Sequence, residues 1–179
     1  MGDGTARACA SLAVLHENRS TIARPPILGC GAASGNGGTR FLFSSGHGLR
    51  FDYDYLNNAR ADGAIMERIL VQCDDQTDPS TGIKIFAPNV SLRDVTAWLF
   101  NGHGIDFHAS LPTNANCWRM WNVWSSQNKG SGFHTAGSDA NAGVAFGCSA
   151  TDNQGWGIDD DAFLGNTWLG PHLDANVAG

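Results

Sequence analysis

Short runs of alternating apolar and polar residues recur along this chain, and the clearest begin at Gly-x-Gly turns. Three segments can be laid on one another: Asn101-Gly102-His103-Gly104-Ile105-Asp106-Phe107, Lys129-Gly130-Ser131-Gly132-Phe133-His134-Thr135 and Gln154-Gly155-Trp156-Gly157-Ile158-Asp159-Asp160. Their second glycines, Gly104, Gly132 and Gly157, lie 28 and 25 residues apart. Ser45-Gly46-His47-Gly48-Leu49-Arg50-Phe51 is a fourth copy and Thr81-Gly82-Ile83-Lys84-Ile85 a degenerate fifth, so the spacings from Gly48 are 34, 22, 28 and 25. Repeats of about 20 to 50 residues signal solenoids, propellers or arrays. No helical period lies between these turns, and the pattern predicts one coil of an all-β, parallel β-helix solenoid per repeat, with coils of about 22–34 residues.

The intervals supply further strands. Second strands are predicted at Ile65–Gln72, Val90–Val95, Trp118–Val123, Val144–Cys148 and Phe163–Trp168, and short third strands at Trp98–Phe100, Trp124–Ser126 and Ser149–Thr151. Alternation turns Val90 and Leu92, Trp118 and Met120, and Val144 and Phe146 inward. Irregular spacing places insertions in the loops Tyr53–Asp62, Asp74–Ser80, Leu111–Asn116 and Gly137–Asn141. Asn128 and Asn153 each stand two residues before the first glycine of a turn, where stacked amides form a ladder. Residues 1–24 are read as a poorly defined segment or partial coil, and 25–179 as the β-helix domain.

Composition agrees with a turn-rich β protein. Charged residues make up 16% of the 179 residues and there are 23 glycines, against about 25% charged in an average domain. The formal net charge is −6 without a Lys/Arg cluster, which excludes the basic footprint of nucleic-acid binding. No apolar run is long enough for a membrane-spanning helix, and residues 1–24 lack the basic and apolar regions of a signal peptide. The five cysteines, Cys9, Cys30, Cys73, Cys117 and Cys148, show no metal or disulfide spacing and read as small apolar fillers. Neither a metal nor a cofactor is implied.

Asp139-Ala140-Asn141-Ala142-Gly143, Asn153-Gln154-Gly155-Trp156-Gly157-Ile158 and Phe163-Leu164-Gly165-Asn166-Thr167-Trp168 carry a resemblance to the pectin-lyase-like superfamily, which implies a right-handed parallel β-helix. The stretch from Asn116 to Gly170 is similar to coils of phage tailspikes and of proteins related to family 28 glycoside hydrolases. The resemblance implies an extracellular or virion-surface protein that meets a polysaccharide or cell-surface glycan, as a glycoside hydrolase, a polysaccharide lyase or a non-catalytic glycan-binding fibre segment. It also implies a homo-oligomer, trimeric if tailspike-like. Gly102-His103-Gly104 and Asp159-Asp160 resemble elements of polygalacturonase-type enzymes, though in reversed order and without their Asn-Thr-Asp and Arg-x-Lys elements. The chain stops soon after a strand with no capping helix, which reads as a fragment or a subunit whose ends are covered.

Repeat register turns these motifs into candidate chemistry. The residue two after each second glycine faces outward, giving an exposed column of Arg50, Lys84, Asp106, His134 and Asp159, with Asp160 and Asp161 at its end. Asp106 and Asp159, two coils apart, are the candidate acid/base pair, with His134 between them and Asp160 as a further catalytic carboxylate. Coils about 4.8 Å apart leave room for either retaining or inverting glycoside chemistry. Arg50 and Lys84 are the candidate cations for substrate, and Trp121 and Trp156 the candidate sugar platforms.

Overall fold

The computed structural model describes residues 5–7, 27–28, 39–43, 47–51, 53–54, 59–60, 62–73, 80–109 and 113–179. Among these there is no helix, and nearly every strand pairs in parallel. The turn strands Leu49–Phe51, Ile83–Ile85, Ile105–His108, Phe133–Gly137 and Ile158–Ala162 form one five-stranded sheet. Leu49, Ile83, Ile105, Phe133 and Ile158 stand in register along it. Coil lengths are therefore 34, 22, 28 and 25 residues, as the glycine spacing predicts. Gly46 and the segments 8–26, 29–38 and 74–79 lie outside the described residues, as do Cys9 and Cys30.

An eleven-stranded sheet supplies the remaining walls. Arg119–Trp121 and Trp124–Ser126 both pair with the long strand Ser91–Trp98, then with Val144–Phe146 and Ser149–Thr151, and these with Thr167–Leu169 and His172–Asp174. Left-handed residues mark three stacked corners: Asn89, Cys117, Ala142 and Gly165; Asp94, Asn122, Gly147 and Gly170; and Leu99, Gln127, Asp152 and Ala175. A left-handed non-glycine residue costs roughly 1–2 kcal/mol. Stacked hydrogen bonds offset that cost, as where Asn122 N donates to Phe146 O at 3.0 Å and Gln127 N to Thr151 O at 3.1 Å.

Six strand predictions shift, two of them, Trp118–Val123 and Val144–Cys148, shortening to Arg119–Trp121 and Val144–Phe146. Ile65–Cys73 and Ser91–Trp98 each run on through a corner, so the expected Trp98–Phe100 strand ends at Trp98, where the left-handed Leu99 breaks the ladder. Phe163–Trp168 gives way to Thr167–Leu169, and His172–Asp174 was not anticipated. The predicted loop after Phe51 contains a short antiparallel pair, Tyr53–Asp54 with Ala59–Arg60.

Core packing follows the alternation, with one reversal. Val90, Leu92, Trp118 and Met120 are buried as expected. Val144 and Phe146 do not face inward together: Ala145 is the core residue and Phe146 is 59% exposed. The reason is the stack Met120, Ala145, Trp168, in which a small residue lets two large ones fill the interior. Trp118 stacks on Phe107 at 4.4 Å, and a β-carbon at Gly143 would overlap the Trp118 indole. Cys73 and Cys148 belong to this core, while Cys117 is half-buried.

The asparagine ladder is present and longer than anticipated. Asn128 Nδ2 donates to Asn153 Oδ1 at 2.9 Å, and Asn153 Nδ2 to Asn176 Oδ1 at 2.8 Å. The same oxygens accept backbone amides, Asn128 N at Asn153 Oδ1 (3.1 Å) and Asn153 N at Asn176 Oδ1 (3.3 Å). These amides fill the space beside the turn, so a β-carbon at Gly104 would collide with Ser125 Oγ and Asn128 Nδ2. Here the glycine is required by close approach, since nothing larger fits.

Candidate functional site

The outward column is assembled as register predicts: Arg50 pairs with Lys84, Lys84 with Asp106, Asp106 with His134, and His134 with Asp159. Its exposure differs from the expectation at Asp106, which is only 4% exposed. Two neighbours cover and neutralise it. His134 Nδ1 lies 2.7 Å from Asp106 Oδ1, and Lys84 Nζ lies 3.8 Å from Oδ2. A buried carboxylate between two cationic partners orients other groups better than it meets a substrate.

The ionisation pattern follows from this packing. Burial alone would push the Asp106 carboxyl up, but the His134 hydrogen bond, its charge and that of Lys84 outweigh it and hold the group below its ordinary value. The same hydrogen bond raises His134 against its own burial, with the charges of Asp106, Asp159 and Asp161 adding to it. His134 is therefore the acid/base candidate with a proton to exchange near neutrality.

A second imidazole, His103, lies flat on His134, with ring centroids 4.2 Å apart and planes within 6°. Ser131 connects this side of the cluster to Asp159: its amide donates to His103 Nδ1 at 3.0 Å and its hydroxyl to Asp159 Oδ2 at 3.3 Å. Burial and then the neighbouring His134 lower the His103 pKa. His103 was read mainly as a turn residue. The missed signal is positional: the residue before each second glycine forms its own column of His47, Thr81, His103, Ser131 and Trp156. In it, Thr81 N donates to His47 Nδ1 (2.9 Å) and Trp156 N to Ser131 Oγ (3.3 Å), so the side chain at this position repeatedly accepts the next coil's amide.

The remaining candidates separate by location. Asp160 takes the inward register, in line with Phe107 and Thr135, on the exposed last coil, and does not extend the outward column. Thr135 Oγ1 donates to its Oδ1, as does Asn166 Nδ2 at 2.9 Å, while Trp168 Nε1 donates to Oδ2 at 2.9 Å. Burial pushes this carboxyl up, yet these donors overcome it and hold it below its ordinary value. Asp160 thus holds the last layer of the interior together and is poorly placed for acid/base work beside His134. Arg50 and Lys84 both rest over the Phe86 ring, at 4.7 and 5.4 Å from its centroid.

Trp156 is half-exposed and stands on the turn column next to Ser131, on the side of the imidazoles. Trp121 belongs to the other sheet, so its exposed ring is not brought to the imidazoles. Arg93 lies over that ring at 5.5 Å, and in register beyond it come the exposed Phe146 and Leu169. Among the described residues no cluster of His, Cys, Asp and Glu suits a metal ion, and no helix is long and apolar enough to cross a membrane. No protein-family model matches the chain, nor does any curated protein or solved structure match it significantly.

Proposed function

We propose that this β-helix is a carbohydrate-active module, extracellular or carried on a virion, that degrades polysaccharide through His134. The single observation behind this reading is the buried Asp106–His134 pair, 2.7 Å apart, on the outer face of a rigid sheet. A carboxylate bonded to Nδ1 leaves Nε2 as the working nitrogen and stabilises the imidazolium that forms when it takes a proton. That assigns Asp106 the positioning of His134, and leaves Asp159 as the accessible carboxylate of the pair. His134 would take its proton from a water in hydrolysis, or from a carbon next to a carboxylate in elimination. Trp156 is the nearest sugar platform, and Arg50 and Lys84 lie along the same column.

Incubation with a panel of polysaccharides, following new reducing ends and the ultraviolet absorbance of unsaturated products, tests the reading. Turnover that His134→Gln abolishes and Asp159→Asn weakens supports it, and the type of product separates hydrolase from lyase. Silence across the panel from folded protein defeats it in favour of a non-catalytic glycan-binding fibre segment. One observation favours that second reading: the exposed row Trp121, Phe146 and Leu169, with Trp124 45% exposed beside it, offers a flat apolar face away from the imidazoles.

A further inference from the structure

The stacked imidazoles His103 and His134 are each held at Nδ1, but in opposite senses. At His103 the partner is the Ser131 backbone N–H, at 3.0 Å. An amide N–H can only donate, so His103 Nδ1 carries a lone pair and the hydrogen of the neutral ring sits on Nε2. At His134 the partner is the Asp106 carboxylate, at 2.7 Å. An ionised carboxylate can only accept, so His134 Nδ1 carries the hydrogen and Nε2 of the neutral ring is a lone pair. Two parallel rings 4.2 Å apart therefore present unlike Nε2 atoms, one a donor and the other an acceptor.

We propose that His103 and His134 form a paired clamp for two neighbouring oxygens of a ligand, the simplest such group being a vicinal diol. One oxygen accepts from His103 Nε2–H, and the hydroxyl of the other donates to His134 Nε2. The proposal rests on the carbohydrate reading above and narrows it to the chemical group recognised; a hydroxyl held at Nε2 occupies the lone pair that turnover needs, so the clamp describes binding before a water or C–H bond takes that place. His47 shows that the Nδ1 bond by itself is a property of the turn, because Thr81 N donates to it in the same way at 2.9 Å. Only His103 has a second imidazole stacked on it among the described residues. The acceptor half depends on pH, since His134 is faced by Asp106, Asp159 and Asp161 as well as by His103. Once protonated, both rings donate and the complementarity to a hydroxyl is lost.

Long-range proton–nitrogen spectra of the ¹⁵N-labelled full chain, recorded above the His134 titration, read the tautomers without any need for turnover. The expected result is a hydrogen on Nε2 of His103 and on Nδ1 of His134. A hydrogen on His103 Nδ1 overturns the donor assignment. cis-1,2-Cyclohexanediol, with two neighbouring hydroxyls, is then titrated against cyclohexanol, which has one. Shifts at both rings with the diol, at least about tenfold weaker for the mono-alcohol (about 1.4 kcal/mol), support the clamp. Equal shifts with both compounds, or none with either, overturn it. A silent polysaccharide panel combined with the expected tautomers and selective shifts would defeat the catalytic reading while leaving the clamp standing.

Discussion

Asp106→Asn is the most informative single change, because it keeps the size of the side chain and removes only its charge. Asp106 and His134 are 5% and 19% exposed at their side chains, so solvent screens their contact little. A hydrogen bond to a charged group contributes about 1.5–3 kcal/mol. The His134 pKa, raised chiefly by this bond, should therefore fall in the variant. Because the folded pKa of His134 is raised above 6.5, its stabilisation is fully present below that value and fades as pH rises through the folded pKa. Asp106, held below 3.8, keeps its charge until well into the acid range. The variant should thus lose about 1.5–3 kcal/mol at around pH 5 and clearly less at around pH 9, where His134 is neutral and an amide oxygen still accepts its Nδ1–H. Urea unfolding followed by tryptophan fluorescence at both pH values measures the difference, and proton NMR titration gives the His134 pKa. An equal loss at the two pH values, or an unmoved His134 titration, would refute the reasoning.

Other consequences follow from the same contacts. Asn153→Ala removes the acceptor of the buried Asn128 amide and the donor to Ser125 O; at about 1–3 kcal/mol per orphaned group, urea melts should show a loss above about 2 kcal/mol. Gly143→Ala drives a methyl into the Trp118 indole and should cost about 1–3 kcal/mol by overpacking, visible as a lowered Tm and a changed near-ultraviolet circular dichroism spectrum. His103 acts with the opposite sign to His134: its folded pKa is lowered, so stability is lost as pH falls below 6.5, where the unfolded chain takes up the proton. His103→Asn, which can still accept the Ser131 amide, should flatten that acid limb in melts recorded across the range; an unchanged limb would contradict the assignment.

Most of the architecture was legible because a solenoid repeats its constraints. Gly48, Gly82, Gly104, Gly132 and Gly157 are forced by close approach of the neighbouring coil, so their spacing is the coil length and their register is the sheet register. Asn128 and Asn153 were readable for the same reason, whereas Asn176 was not, having no glycine turn behind it in the sequence. Errors arose where packing overrode alternation. The exposure of Phe146 depends on Met120 and Trp168 filling the layer around Ala145, which no local pattern reveals. Asp106 was read as exposed, and Asp160 as an extension of the outward column, because outward and terminal positions are usually polar. The partners that bury or bind them, His134 and Lys84 in one case and Thr135, Asn166 and Trp168 in the other, come from other coils. His103 was legible only as part of a Gly-His-Gly turn, since its stacking partner, His134, stands 31 residues along the chain.

The central functional claim is that His134 performs chemistry on a bound glycan, with binding and turnover separable. The most direct test is to measure both on one polysaccharide for the wild-type chain, His134→Gln and Trp156→Ala. The account predicts that His134→Gln binds but yields no product, and that Trp156→Ala binds several-fold more weakly while turning over what it holds. Product formation by His134→Gln at the wild-type rate would contradict it.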